Sequence, residues 1–161
     1  MAGEPLTART LRRATADDAE AVRAVTCAAY ARWVPVIGRE PLPMQADYER
    51  AVREHLVDLL FLGDRLAALI ELVREPDHLL VLNVAVAPEF QGRGLGSHLM
   101  RHAEDVARGL GIAEMRLFTN KAFAPNIALY QRLGYGIDRE EPFREGFMVY
   151  MSKRLGGKIA R

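Results

Sequence analysis

The stretch Asn83-Val84-Ala85-Val86-Ala87-Pro88-Glu89-Phe90-Gln91-Gly92-Arg93-Gly94-Leu95-Gly96 runs an apolar strand into a proline, a glycine-rich turn and the start of a helix. Glycines at this density let successive backbone N–H groups point into one concavity. The positive end of the following helix reinforces that concavity, which suits a pyrophosphate. Arg93 can add side-chain charge to the same anion. Two familiar phosphate motifs fail on these residues. A GxGxxG dinucleotide turn would put its third glycine at Ser97 or Leu99, and a P-loop needs Gly-Lys-Ser/Thr where the chain has Ser97-His98-Leu99. A strand-to-helix turn needs glycine only for backbone freedom, and three glycines alternating over five residues exceed that need.

Downstream, Leu95, Leu99, Ala103, Val106 and Leu110 repeat at helical spacing with Gly111 placed to cap the end, and residues 115–119 read as the next strand. Strand, helix and strand in that order require a crossover, which makes the strands 79–87 and 115–119 parallel. Upstream, residues 59–62, 66–73 and 79–87 are apolar runs of strand length separated by Gly63-Asp64 and Glu75-Pro76-Asp77, an antiparallel meander. Before them come a short strand at 10–14 and a capping box at Thr15-x-x-Asp18. A helix follows with Val22, Val25, Ala29 and Trp33 on one face, stopping near Pro35. Residues 36–43 read as a loop and 45–56 as a second helix bearing Tyr48, Val52 and Leu56. At the other end, a helix at 125–133 closes on Gly134, and a strand at 147–151 pairs with 135–138 or with 115–119. The expected fold is α/β: a mixed, mostly antiparallel twisted sheet with a central parallel βαβ unit, flanked by about four helices.

At 161 residues, half of them apolar, the chain fits one domain over residues 1–161, with 155–161 as a frayed tail. Its single cysteine, Cys27, forms no intramolecular disulfide, and no Cys/His spacing suits zinc. A formal net charge of +1 from interspersed acids and bases leaves no basic run for nucleic acid. The first eleven residues lack an apolar signal region, and no stretch approaches the roughly 20 apolar residues of a membrane span, so a cytoplasmic protein is expected.

Gln91-x-x-Gly94-x-Gly96 resembles the Q/R-x-x-G-x-G/A signature of the GNAT family of N-acetyltransferases, and it sits where that family carries it, between a strand and a long helix. Asn126-Ile127-Ala128-Leu129-Tyr130-Gln131-Arg132-Leu133-Gly134-Tyr135 resembles the family's second motif, with a shorter spacing between its alanine and its leucine. The resemblance implies acetyl transfer from acetyl-CoA, as co-substrate and without a metal, to a primary amine of a small molecule or peptide by direct attack in a ternary complex. A non-catalytic acyl-CoA-binding module of the same fold is the alternative. The cofactor contacts it implies are Val84, Ala85 and Val86 on the strand, Gln91, Gly92, Arg93, Gly94, Leu95, Gly96 and Ser97 at the turn, and Asn126 and Tyr130 on the late helix. The family often dimerises through its late strands, so a homodimer is compatible with it.

Amine acetylation requires a neutral amine, stabilisation of the thioester oxygen and a proton for the departing thiolate. Tyr130 is the expected proton donor, and a backbone N–H within 84–86 the expected oxyanion donor. Glu71 is the preferred general base, with Asp77 and His78 as further candidates. Asn83 stands where some family members carry a carboxylate. Tyr30, Trp33, Asn83, Phe147 and the loop before Met44 are expected to shape the acceptor pocket. Cys27 reads as a buried structural thiol, and His98 and His102 as the exposed face of the long helix.

Overall fold

The computed structural model describes residues 8–156. Its seven-stranded sheet has the order β1-β2-β3-β4-β5-β7-β6. The strands are β1 (Arg9–Arg13), β2 (Leu56–Leu62), β3 (Arg65–Arg74), β4 (Leu79–Val86), β5 (Glu114–Asn120), β6 (Gly136–Phe143) and β7 (Gly146–Arg154). Every neighbouring pair is antiparallel except β4 and β5, whose parallel pairing joins Leu79–Val81 to Met115–Leu117. The long helix α5 (Leu95–Gly109) makes the crossover between them. The other helices are α1 (Ala19–Tyr30), the single turns α2 (Val34–Ile37) and α3 (Leu42–Gln45), α4 (Tyr48–Glu54) and α6 (Ala124–Arg132). Four of the six thus exceed one turn.

The central strands read as continuous apolar runs because both faces are covered. One core packs Leu60, Ile70, Leu72, Leu79 and Val81 against Leu95, Leu99 and Ala103 of α5. The other packs Leu59, Leu69 and Ala85 against Val22 and Ala29 of α1 and Tyr48 of α4. β4 contributes to both, because a bulge at Leu82 interrupts its alternation: Glu71 pairs with Asn83, but the next residue, Leu72, pairs with Val81. The bulge turns Asn83 and Ala85 toward α1 and α4, and leaves Val84 and Val86 on the α5 face.

Several boundaries differ from the sequence expectations. Helical path does not stop at Pro35, because proline fits the first turn of α2, and the path ends at Gly38 in the left-handed conformation. Trp33 lies in a 3-10 turn after α1 and not on its face. The second helix starts only at Tyr48, where the Asp47 side chain accepts the Arg50 N–H at 3.1 Å, and Leu56 belongs to β2. The strand at 147–151 pairs with both of its alternatives, and the charged run Asp138-Arg139-Glu140-Glu141 is part of β6, exposed along nearly its whole length. Leu155 is only 6% exposed and its N–H donates to Ala113 at 2.8 Å, so it is core and not tail; residues 157–161 lie outside the described part. No helix among the described residues is long and apolar enough to cross a membrane.

Candidate active site

Beyond Val81 and Leu117 the β4–β5 pairing ends, and two hollows meet where the strands part. The larger, a groove of about 530 Å³, runs from the glycine turn to α6. Gly92 and Gly94 have φ of 79° and 77°, which side chains rarely tolerate, and a Cβ at either would meet no protein atom within 4 Å. Gly94 is the N-cap of α5, so the N–H groups of Leu95, Gly96 and Ser97 have no intrahelical partner and face the groove's end. Gln91 donates from Nε2 to the Val86 carbonyl at 3.0 Å, tying the turn to the end of β4. A cradle of unpaired N–H groups at a helix start suits the phosphates of a nucleotide-bearing thioester.

Along β4, the carbonyl of Val84 accepts the Tyr30 hydroxyl at 3.2 Å and that of Val86 accepts Gln91. Both carbonyls therefore point to the parted side. In an extended strand each residue's N–H and C=O share a side, so the N–H groups of Val84 and Val86 are offered to the groove, while Ala85 faces β3. Ala85 faces away from the groove: its side chain is buried against α1 and α4 and its backbone lies on the paired edge. Arg93 is likewise not at the groove wall; it is exposed with its guanidinium 5.3 Å from the Phe90 ring. Sequence reasoning missed Arg32 and Arg132, which line the groove with positive charge from the 3-10 turn after α1 and from α6. Their signal was one of folding partners, which spacing along the chain does not carry.

Asn126 and Tyr130 line the groove from α6, whose start carries Pro125 in its first turn and whose end is closed by the Tyr135 N–H donating to the Tyr130 carbonyl at 3.0 Å. Burial pushes the Tyr130 phenol up to about 12, so it is a neutral donor at any ordinary pH. Trp33 joins this groove and stacks on Phe123 at 4.5 Å. It was expected in the acceptor pocket.

The second hollow, about 170 Å³, lies between the sheet and the segment from α1 to α4, and Tyr30 borders both hollows. Glu71 and Asn83, each 3% exposed, sit side by side on neighbouring strands at its wall. The Glu71 carboxylate is 2.6 Å from Nδ1 of His55, whose side chain is 28% exposed. Phe147 is not in this hollow: it is 46% exposed with Lys121 Nζ over its ring, and Phe118, Phe123 and Phe143 supply the aromatic wall instead. Asp77 and His78 hold each other at 2.7 Å in the β3–β4 turn and line neither hollow. Cys27 is half-buried rather than buried, 3.8 Å from the Met44 carbonyl, and lines neither as well. His102 is no simple surface residue: it pairs with Asp58 at 2.7 Å, and Asp58 also accepts from Arg13 at 2.6 Å, a cross-link between β1, β2 and α5.

The model of the acetyltransferase (GNAT) family matches residues 22–135, which span the glycine turn and α6. Over 57 residues the chain is 40% identical to streptothricin acetyltransferase of Streptomyces lavendulae, covering 35% of this chain and 30% of that protein. Over 72 residues it is 38% identical to the [ribosomal protein bS18]-alanine N-acetyltransferase of Salmonella typhimurium, covering 45% and 49%. The chain thus spans about half or less of the curated relatives it matches. A solved PaiA N-acetyltransferase of Thermoplasma acidophilum in complex with coenzyme A superposes with a TM-score of 0.78 at 19% identity, over 91% of this chain and 99% of that one. The Escherichia coli ribosomal-protein-S18-alanine N-acetyltransferase gives 0.73 at 21%, over 94% and 96%, so the likeness of fold extends well past the matched sequence. By its glycine turn, its tyrosine helix and the family match that contains both, this chain belongs to the acetyltransferase (GNAT) family.

Proposed function

We propose that the protein transfers an acetyl group from acetyl-CoA to a primary amine by direct attack in a ternary complex. The observation that carries this reading is the meeting of two hollows at the parted strands: a groove with an amide cradle at one end, and a separate cavity with a buried carboxylate. The names of the relatives, acetyltransferases acting on streptothricin or on a ribosomal-protein alanine, agree with it.

Acetyl-CoA lying in the groove would supply the thioester that the amine attacks. The N–H groups of Leu95, Gly96 and Ser97 would hold its phosphates, with Arg32 and Arg132 adding charge. The N–H groups of Val84 and Val86 would align its arm and steady the thioester oxygen. Glu71 takes a proton from the incoming ammonium, and half-exposed His55 gives that proton a way to solvent. The neutral nitrogen bonds to the carbonyl carbon, the carbon–sulfur bond breaks, Tyr130 gives its phenol proton to the departing sulfur, and the second proton shed by the acylated nitrogen restores the phenol. Cys27, outside both hollows, is not positioned to carry the acetyl group.

Calorimetric titration with acetyl-CoA, with NADH and ATP as controls, tests the groove, and thiol release on adding an amine tests the transfer. Selective acetyl-CoA binding with amine-dependent thiol release is expected. Binding without transfer to any amine would turn the protein into an acyl-CoA-binding module, and trapping of an acetylated Cys27 during turnover would replace direct attack by a carrier mechanism.

A further inference from the structure

Asn83 is a buried side chain with one polar atom that nothing among the described residues uses. Its Nδ2 donates to Thr26 Oγ1 at 3.2 Å and to Tyr48 Oη at 3.3 Å. The Tyr48 hydroxyl proton is committed to the Pro43 carbonyl at 2.6 Å, so Tyr48 can only accept from Asn83, which fixes the amide's orientation. Asn83 Oδ1 is then a buried acceptor with no partner among the described residues, in a residue that lines the smaller cavity beside Glu71. Buried polar atoms are nearly always satisfied, so an orphan in a residue that lines a cavity points to a donor that the described residues do not supply. A carbonyl oxygen next to a carboxylate fits an N–H-rich, positively charged group.

Most of the cavity's remaining lining is apolar, with Arg39, Thr119 and Asn120 among its polar points. Leu42, Pro41, Phe118, Phe123, Phe143 and Met148 form its apolar walls. Its volume of about 170 Å³ is close to that of engineered apolar cavities of roughly 150 Å³ that hold one benzene ring. A polyamine would bring its second charge against these walls or toward the Arg39 guanidinium.

From this juxtaposition, and resting on the transfer reading above, we propose that the acceptor is a small primary amine carrying one apolar group the size of a phenyl ring, with Asn83 Oδ1 accepting one of its N–H groups. Asn83 is a specificity residue, and Glu71 beside it takes the proton.

The test measures kcat/KM by thiol release for phenethylamine, putrescine and an alanine-initiated tripeptide, with the acetyl-CoA Kd measured separately. Phenethylamine is expected to lead by at least about tenfold, the ratio that burial of a ring in an apolar pocket commonly gives. Asn83→Ala is expected to raise the KM for phenethylamine about tenfold at unchanged acetyl-CoA Kd, where a merely structural loss would move both. Leu42→Trp, which fills the cavity from its rim, is expected to remove the preference for phenethylamine while the acetyl-CoA Kd again holds. A preference for putrescine or the tripeptide overturns the proposal and leaves acetyl transfer standing. Acetyl-CoA binding with no transfer to any of the three also overturns it. Absence of acetyl-CoA binding removes the underlying reading itself.

Discussion

The groove and the smaller cavity share a border at Tyr30 but are built in different ways. The groove's recognising atoms are main-chain: the N–H groups of Val84 and Val86 and those of the first turn of α5, all within fourteen consecutive residues. The cavity's are side-chain atoms drawn from β3, β4, β5, the β6–β7 hairpin and the α1–α4 segment. Main-chain recognition is fixed by backbone conformation, so it tolerates side-chain change but not the loss of a glycine. Side-chain recognition can be retuned one residue at a time. The division fits a molecule that meets one constant ligand and one variable one.

Substitutions that strike one hollow and spare the other sharpen this contrast, and the largest effect is expected at Glu71. Glu71→Gln keeps shape and burial but cannot take a proton, and loss of a general base typically costs 10²–10⁴-fold. A fall of about 10³ in kcat/KM for the amine near neutral pH is expected, easing as rising pH leaves more of the amine neutral in solution, with acetyl-CoA affinity unchanged. An unaltered kcat/KM would remove Glu71 from the chemistry. Tyr130→Phe comes next. A phenol held at about 12 is a poor acid for a thiolate whose conjugate acid lies near 8.5, so the expected fall in kcat is about 10², toward the low end for acid catalysis. Because the hydroxyl acts only as the sulfur departs, the acetyl-CoA Kd should hold. Parallel loss of binding and rate would mean that Tyr130 positions the ligand instead.

Gly94→Val tests the groove alone. At φ 77° an L residue costs about 1–2 kcal/mol, and a β-branched one more, and the strain falls on the N-cap whose neighbours form the cradle. Acetyl-CoA binding about ten- to thirtyfold weaker is expected by titration, with the amine KM little changed at saturating acetyl-CoA. Equal damage to both would show that the two hollows are not separable.

The same division explains what could be read from the sequence. The glycine turn and α5 announce themselves because positive φ and helical periodicity are local properties, and the β4–α5–β5 crossover follows from element order alone. The cavity was legible only in part. Period-two alternation puts Asn83 on the face of Leu79 and Val81, and nothing in the residues reveals the bulge at Leu82 that swings it beside Glu71. His55 had no motif, and its contact with Glu71 appears only once the α4–β2 junction brings the two together. Phe147 and Trp33 were sensible aromatic choices for the acceptor pocket. Strand register sent the first to the surface and a 3-10 turn sent the second to the groove.

The smallest effect is expected far from both hollows, at the cross-link that seats α5 on the sheet. Burial alone would raise the Asp58 carboxyl, but hydrogen bonds from His102 and Arg13 outweigh it and hold it below the usual carboxylate range. A carboxyl depressed in the folded state stabilises the fold at pH above its unfolded value of about 4. That contribution is lost as pH falls through the lower folded value. Asp58→Asn should therefore cost about 1–2 kcal/mol at neutral pH and flatten the acid limb of a denaturant-stability series. Since neither hollow includes Asp58, kcat and the acetyl-CoA Kd should stay near their starting values at temperatures well below unfolding. A change in acetyl-CoA affinity without a change in stability would mean that the cradle at the start of α5 is held by this clamp, and not by the Gln91 tie and the glycine backbone alone.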